Sequence, residues 1–297
     1  MISVTFLGTS AHIPLVSRSH PAFLLSYEGE NILVDCGEGT QRQFRIAKIN
    51  PCKITRILIT HLHGDHVFGL PGLLSTLNLN GYNKTLFVYG PKGIKQFFCD
   101  LVKVFRLNLN YKIEIHEVSG RFFETSDFYL ESKEMTHGIL CNAYAFILKE
   151  RIRINKEKLE KSKLPAGAHL QKLKEGKDIV YQGKKYLAKS FTYLEKGKKI
   201  SFVLDTSFNK RIVPFVKNSS LLVCEATFDS DMNDKARDYL HLTSKQAGEI
   251  AKRARVEKLI LTHLSQRYEK NSKKILDGAK KVFKNTIIAK DFDVVKV

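Results

Sequence analysis

The chain has 297 residues, 43% of them hydrophobic, and a formal net charge of +19. This length and apolar content exclude a disordered chain and allow one large domain or two small ones. The charge indicates a polyanionic partner, with nucleic acid favoured over an anionic membrane because no Trp-anchored or lipidated segment and no amphipathic segment of the membrane-binding kind is evident; a uniformly lysine-rich composition is the alternative.

The first predicted elements are short strands. Apolar segments at residues 4–7, 23–27 and 32–34 are separated by glycine and proline, which is typical of consecutive strands and hairpins. The third segment ends at Asp35, and a glycine-rich turn then leads into a helix predicted over residues 40–49. That turn matches neither phosphate-loop pattern. Asp35 is therefore either a turn former or a site residue.

The next predicted strand runs into a dense group of polar residues, His61, His63, Asp65 and His66. Imidazole and carboxylate are ligands that suit zinc and related divalent ions. In an extended backbone His61 and His63 point the same way, and Gly64 permits a turn that carries Asp65 and His66 to a second position. The spacing predicts a stretch that serves two metal ions; a histidine-rich surface turn is the alternative.

Strands and helices alternate through the rest of the chain. We predict helices over residues 70–79 and 91–105, and strands over residues 85–89, 112–118, 128–135, 143–148, 200–204, 221–228 and 259–262. His137, Asp205 and His263 lie just after three of these strands. Because each half has a buried strand that ends in Asp or His, Asp35, His61, Asp205 and His263 are predicted to meet at one rim, where the two oxygens of Asp205 can bridge two cations. His137, at a strand end before Gly138, is a further candidate ligand, with a hydrogen-bonded structural histidine as the alternative.

His241 precedes an amphipathic helix for which Thr243 or Ser244 is the predicted cap. With the ligand histidines set aside, His241 is the best remaining candidate for proton transfer, and a surface residue beside the cap is the alternative. His12, His20, His116 and His169 receive no predicted role.

Basic residues cluster in one part of the chain. Residues 150–199 contain 15 basic and 6 acidic side chains, a net charge of +9. We predict a basic arm over residues 151–199 that projects from a single domain spanning residues 1–297, with too few apolar residues for a domain of its own. Lys163, Lys172 and Lys174 are its candidate contacts to a polyanion. A solvated insertion without a role is the alternative.

Cysteine use indicates a reducing compartment. The five cysteines are widely separated, and no Cys-x-x-Cys pair occurs. No apolar run approaches the roughly 18 residues of a membrane span, and residues 1–7 lack the basic flank of a secretory leader. We expect a cytoplasmic protein without a membrane segment.

The ligand pattern resembles a known family. His-x-His-x-Asp-His followed by His137, Asp205 and His263 is similar to the ligand set of the metallo-β-lactamase superfamily. Motifs at residues 6–10, 34–41, 225–228, 241–243 and 261–268 extend the resemblance over nearly the whole chain to ribonuclease Z, the tRNA 3′-processing endonucleases. The resemblance implies an α/β fold, an αβ/βα four-layer sandwich, with a dinuclear zinc centre whose ligands also accept Mn²⁺ or Fe²⁺.

The resemblance also implies a role for each site residue. One zinc is held by His61, His63 and His137, the other by Asp65, His66 and His263, and Asp205 bridges them. Asp65 orients or deprotonates the attacking water, and His241, oriented by Glu225, protonates the departing oxygen. The implied substrate is precursor tRNA, cut to leave a 3′-hydroxyl on the tRNA and a 5′-phosphate on the trailer. The arm then grips the tRNA, often from the partner subunit of a homodimer.

One loop departs from the family pattern. The family tends to have Pro-x-Lys-x-Arg-Asn where residues 14–19 stand here, with Val16 and Ser19 in place of the polar pair. Arg18 is kept as the expected substrate contact of this loop. Two other functions remain as alternatives: a hydrolase of small phosphodiesters, thioesters or lactones with the same fold, and an RNA-binding protein without activity.

Overall fold

The computed structural model describes residues 1–162, 164–165 and 167–297. These fall into two compact units, the first comprising Met1–Phe123, Leu130–Phe146 and Lys199–Val297 and the second comprising Glu124–Tyr129 and Ile147–Lys198. Every helix in the described ranges is too short or too polar to span a bilayer.

The elements follow one another along the chain in three groups. Before the insert they are β1 (Ile2–Gly8), β2 (Ala22–Tyr27), β3 (Glu30–Val34), α1 (Thr40–Ile46), β4 (Arg56–Leu58), α2 (Gly64–Val67), α3 (Leu70–Leu79), β5 (Leu86–Gly90), α4 (Ile94–Val104), β6 (Ile113–Glu117), β7 (Gly120–Glu124), β8 (Phe128–Met135) and β9 (Cys141–Leu148). The insert contains β10 (Arg151–Ile154), α5 (Lys156–Ser162), α6 (His169–Lys174), β11 (Ile179–Tyr181), β12 (Lys184–Tyr186), α7 (Ala188–Phe191) and β13 (Thr192–Glu195). The remainder contains β14 (Lys198–Val203), α8 (Ile212–Phe215), β15 (Leu221–Glu225), α9 (Asn233–Asp238), α10 (Ser244–Arg253), β16 (Leu259–Thr262), α11 (Ser272–Lys280), β17 (Thr286–Ile288) and β18 (Val294–Lys296).

Two mixed sheets form the centre of the first unit. Their strand orders are β18-β1-β2-β3-β4-β5-β6 and β17-β16-β15-β14-β9-β8-β7. Strands β3 to β6 pair in parallel in the first sheet, and β14 to β17 pair in parallel in the second. Since neighbouring parallel strands end at the same edge, the residues that follow β3 and β4 lie close together, as do those that follow β14, β15 and β16.

The two faces of the first sheet bury different neighbours. Leu24 belongs to the core that also contains Phe44 of α1, Leu74 of α3 and Phe98 of α4. The adjacent Leu25 points the other way, towards Phe202 and Phe146 of the second sheet, as the two-residue period of a strand requires. Two mixed sheets with helices packed against them confirm the predicted α/β class.

The predicted boundaries hold best where a physical signal marks them. The helix predicted over residues 70–79 is α3, and Thr243 caps α10 through a capping box with Gln246. The prediction that a helix begins at Pro91 is wrong. Gly93 has a φ of 100°, which a right-handed helix excludes, so α4 begins at Ile94.

The second unit has a core of its own. Its buried apolar residues are Leu164, Leu173, Ile179, Tyr186 and Ala188. Two antiparallel strand pairs, β10 with β13 and β11 with β12, supply its strands. Apolar residues that are spread along the sequence of the insert, predicted to be too few for a domain of its own, therefore converge in one small cluster.

Candidate metal centre

Three of the candidate ligands lie just after the carboxyl ends of parallel strands. His61 follows β4 by three residues, Asp205 follows β14 by two, and His263 directly follows β16. Asp65 and His66 lie on the short helix α2, and His137 follows β8. Four of these residues are at most 4% exposed, so their donor atoms are largely shielded from solvent: Asp65, His66, Asp205 and His263.

The first ligand cluster contains His61, His63, His137 and Asp205. The Nδ1 atom of His63 lies 3.0 Å from His61 Nε2 and 3.2 Å from His137 Nε2. The Oδ2 atom of Asp205 lies 3.6 Å from His61 Nε2 and 3.8 Å from His137 Nε2. Three ring nitrogens and one carboxylate oxygen therefore surround a common point.

The second ligand cluster contains Asp65, His66, His263 and again Asp205. The other oxygen of Asp205, Oδ1, lies 3.4 Å from His66 Nε2 and 3.1 Å from His263 Nε2. Asp65 Oδ2 lies 3.4 Å from His66 Nε2 and 3.6 Å from His263 Nε2. Asp205 thus gives one oxygen to each cluster, which is the geometry of a bridging carboxylate.

Outer partners hold the ligand rings in one orientation. Asp35 Oδ2 lies 2.6 Å from His66 Nδ1, and Thr60 Oγ1 lies 3.0 Å from His61 Nδ1. Thr227 Oγ1 lies 2.9 Å from His263 Nδ1, and the Leu240 carbonyl lies 3.1 Å from His137 Nδ1. These contacts occupy Nδ1 of all four rings and leave their Nε2 lone pairs for the clusters.

The donor set fits divalent cations. The buried atoms His66 Nε2, His263 Nε2 and Asp205 Oδ1 make no hydrogen bond to any described residue. Leaving such atoms unsatisfied is costly, and a cation that accepts their lone pairs removes that cost. Nitrogen and oxygen donors in this mixture are those that zinc prefers.

A further imidazole stands beside the clusters on a buried carboxylate. His241 Nδ1 lies 3.1 Å from both oxygens of Glu225, which is fully buried. Burial alone would lower the pKa of His241, but the negative charges of Glu225 and Asp205 raise it to about 9. Glu225 also accepts a hydrogen bond from the Thr206 amide and another from the Thr227 hydroxyl, so its position is fixed from three sides.

The site opens into a cleft of about 450 Å³. Its lining includes the cluster residues His63, Asp65, His137, Asp205 and His263 together with Phe228, Tyr239 and His241. The cleft therefore exposes members of both clusters and the His241 ring to a common substrate space.

Comparison with known proteins places the chain in a family. A family model for the metallo-beta-lactamase superfamily matches residues 17–92. The chain is 38% identical to the ribonuclease Z of Methanothermobacter thermautotrophicus, over 100% of this chain and 97% of that protein. It is 39% identical to the ribonuclease Z of Listeria welshimeri, over 100% and 99%. The chain belongs to the ribonuclease Z family. The resemblance drawn from the motifs is confirmed.

A solved structure of this family agrees with the fold. Human tRNase Z, short form, superimposes with a TM-score of 0.72 at 28% identity, covering 99% of each chain. Ribonuclease Z is a metal-dependent nuclease family with the metallo-β-lactamase fold, which accounts for the two His and Asp clusters. The fold class predicted from the sequence is thereby confirmed.

Arg18, predicted to contact substrate, is only 8% exposed. Its guanidinium donates hydrogen bonds to Thr9 Oγ1 at 2.7 Å and to the Ala289 carbonyl at 2.5 Å. These two hydrogen bonds hold the loop of residues 14–19 against Thr9 and Ala289.

The predicted arm contacts are lysines of the second unit. Lys172 and Lys174 are exposed on α6. They flank the buried Leu173, so the helix packs on one face and presents positive charge on the other. Lys163 lies outside the described residues.

Sequence reasoning missed several members of the site. Thr60, Thr227 and the Leu240 carbonyl hold ligand rings, but Thr and a backbone carbonyl carry no motif of their own. Asp35 was not missed, because its place at the end of a predicted strand keeps it as a possible site residue. In the structure it has a φ of 56°, a backbone conformation uncommon for a residue other than glycine.

Proposed function

We propose that this chain is a divalent-metal-dependent endoribonuclease that removes the 3′ trailer from precursor tRNA. The products are a 3′-hydroxyl on the tRNA and a 5′-phosphate on the trailer. The observation that carries the proposal is the pair of ligand clusters sharing Asp205, in a chain 38% identical over its full length to a ribonuclease Z.

In this proposal His61, His63 and His137 hold one cation, and Asp65, His66 and His263 hold the other. Asp205 bridges them, because each of its oxygens faces one cluster. Two Zn²⁺ ions are the proposed occupants, and Mn²⁺ or Fe²⁺ suit the same ligands. When bound, the cations supply Lewis acidity that polarises a phosphoryl oxygen and lowers the pKa of water.

Asp65 is the proposed proton acceptor. Its Oδ2 atom is turned towards His66 and His263, which leaves Oδ1 on the other side of the carboxylate. At Oδ1 the side chain orients the attacking water and accepts its proton.

His241 is the proposed general acid. Its Nδ1 atom is held by Glu225, so Nε2 is the ring nitrogen that can donate into the cleft. His241 gives the Nε2 proton to the departing 3′ oxygen of the tRNA, and Glu225 stabilises the ring while it is protonated. Glu225 is thus a positioning residue for His241.

Recognition of the tRNA is assigned to the basic second unit. Lys172 and Lys174 are exposed. Lys163 is included because it belongs to the same basic stretch of the sequence. Lysine is a point charge suited to phosphate contacts, which raise affinity without reading sequence. The role of Arg18 in this proposal is to hold the loop of residues 14–19 in place.

The proposal includes a cytoplasmic location and a homodimer. Phe68, Val104 and Phe105 are 66%, 72% and 58% exposed around one apolar groove, and such patches mark interaction surfaces. We assign this groove to a second copy of the chain. Sedimentation velocity should give a dimer for the native chain and a monomer for Phe105→Glu; a native monomer would overturn the assignment.

The decisive experiment uses one precursor tRNA that carries a 3′ trailer, with Zn²⁺ or Mn²⁺ present. We expect a single cut, with a 3′-hydroxyl and a 5′-phosphate identified at the two new ends. Asp65→Ala should abolish the cut while the protein still binds the RNA. Failure of the native protein to cut, together with good turnover of small esters, would favour the small-molecule hydrolase instead.

A further inference from the structure

His12 is a histidine of the cleft for which the sequence gave no role. Its side chain is 81% exposed, and its Nδ1 atom lies 3.3 Å from Asp65 Oδ1. Both residues line the cleft of the metal centre. His12 belongs to neither ligand cluster, so the contact is not part of the metal cradle.

The backbone around His12 is anchored on both sides. The Ala11 amide donates to the Leu264 carbonyl at 3.1 Å, next to the ligand His263. His20, which is 5% exposed, places its Nε2 atom 3.0 Å from the carbonyl oxygen of His12. Because the main chain is already held, a contact by the exposed ring has to order only the side-chain torsions of His12 and not its backbone.

The two oxygens of Asp65 have different surroundings. Oδ2 faces His66 and His263 of the second cluster, whereas Oδ1 faces His12. An ionised carboxylate can only accept a hydrogen bond, so the Nδ1 atom of His12 must be the donor. A donor at this place restricts rotation of the carboxylate about its last torsion.

We propose that His12 is a positioning residue that fixes the Asp65 carboxylate so that Oδ2 faces the second cluster and Oδ1 faces the attacking water. This inference rests on the proposed function for the role of Asp65 and goes beyond it by assigning the group that holds Asp65. A carboxylate oxygen has two acceptor sites, so Oδ1 can accept from His12 and still take a proton from water.

Two consequences follow from this role. Loss of the contact should lower kcat for every substrate, because the proton acceptor is misplaced whatever the leaving group. It should also weaken cation binding by the substrate-free protein, because partners that orient a metal ligand are typically worth 10–100-fold in affinity or activity. The KM for tRNA should change little, since His12 acts through Asp65.

The experiment compares His12→Ala, His12→Asn and His12→Gln with the native chain. The Asn amide nitrogen lies near the place of histidine Nδ1, and the Gln amide nitrogen lies near that of Nε2, so only Asn should replace the donor. His116→Ala is the matched control, because His116 lies outside the cleft. Each variant is assayed on precursor tRNA and on bis(p-nitrophenyl) phosphate, and the metal-free protein is titrated with Mn²⁺ alone.

We expect His12→Ala to lose about tenfold in kcat on both substrates and about tenfold in Mn²⁺ affinity, with KM within about twofold. His12→Asn should recover most of both losses, and His12→Gln should not. Unchanged kcat and Mn²⁺ affinity in His12→Ala would overturn the inference. So would a rise in KM for tRNA alone, which indicates a direct RNA contact, or recovery by Gln instead of Asn.

Failure of the inference can be told apart from failure of the proposed function. If the native protein does not cut precursor tRNA, the proposed function fails, whereas the Mn²⁺ titration and the small phosphodiester still report on the contact between His12 and Asp65.

Discussion

Asp35 Oδ2 lies 2.6 Å from His66 Nδ1, and both side chains are fully buried. Asp35 also accepts hydrogen bonds from the amide and the hydroxyl of Thr60, whose hydroxyl meets the His61 ring. Desolvation raises the pKa of Asp35, against the opposing effect of His66 and Thr60. One buried carboxylate therefore orients a ligand of each cluster, directly for His66 and through Thr60 for His61.

Replacing Asp35 should damage both stability and metal binding. Asp35→Ala leaves the Thr60 amide and His66 Nδ1 unsatisfied, at a cost of about 2–4 kcal/mol in the free energy of unfolding. Urea unfolding of the metal-free protein measures this loss. Asp35→Asn should lose less stability because it still accepts from the Thr60 amide, yet it should bind Zn²⁺ more weakly than the native chain. Native-like Zn²⁺ affinity in both variants would show that Asp35 does not orient the ligands.

The division of the ligands into two clusters predicts metal stoichiometry. The native chain should bind two Zn²⁺ per chain, and His137→Ala should bind one with native affinity, because Asp65, His66, His263 and Asp205 remain. Calorimetric titration and elemental analysis of the dialysed protein measure both numbers. His116→Ala serves as the control and should still bind two. One ion in the native chain, or none in His137→Ala, would contradict two separate clusters.

The role of His241 predicts a dependence on the leaving group. His241→Ala should lower kcat on precursor tRNA by about 10²–10⁴-fold, because a ribose oxygen departs poorly without a proton. On bis(p-nitrophenyl) phosphate the loss should be below about tenfold, since p-nitrophenolate departs without protonation. Glu225→Gln should show the same pattern more weakly. Equal losses on both substrates would mean that His241 supports the metal ligands instead.

The candidate ligands were predictable because His61, Asp205 and His263 follow apolar strands and because His63, Asp65 and His66 share one dense motif with His61. Apart from Asp35, their outer partners were not, and two of these contacts depend on folding across long separations. Thr227 is 36 residues from His263, and the Leu240 carbonyl is 103 residues from His137. His12 is a related case, because a lone histidine in a loop gives no signal until the fold brings it to Asp65.

The limits of the fold prediction have the same cause. The helix α3 was found because its apolar residues recur at helical spacing on one sequence segment. Strand β18 was missed because it has only three residues, two of them exposed, and exists by pairing with β1 at the other end of the chain. The core of the second unit was missed because no single segment of the insert is strongly apolar.

The ion pairs of Glu195 predict a pH dependence for the stability of the antiparallel pair of β10 and β13. Hydrogen bonds from Arg151 and Arg153 lower the pKa of Glu195 to about 2. Because the folded-state pKa lies below the unfolded value near 4.5, the stabilisation is present above about pH 4.5 and is lost as the pH falls through about 2. An NMR titration of the Glu195 carboxyl carbon measures the pKa directly. Glu195→Gln should remove the pH dependence of the amide protection factor at Leu194, that is, of the exchange rate relative to the unfolded-chain rate at the same pH, and an ordinary pKa would contradict the pairing.

The basic second unit predicts that RNA binding and catalysis can be separated. Deleting residues 154–187 should weaken binding of precursor tRNA by at least about tenfold, because it removes the lysines assigned to phosphate contacts, while hydrolysis of bis(p-nitrophenyl) phosphate stays near the native rate. The double variant Lys172→Ala, Lys174→Ala should lower the slope of log affinity against log salt by roughly 1–2, as expected when about two phosphate contacts are lost. Lys280→Ala with Lys281→Ala, two exposed lysines of the first unit, is the matched control. Equal loss of tRNA binding and of small-substrate hydrolysis in the deletion would show that the insert supports the fold and does not act as an RNA-binding unit.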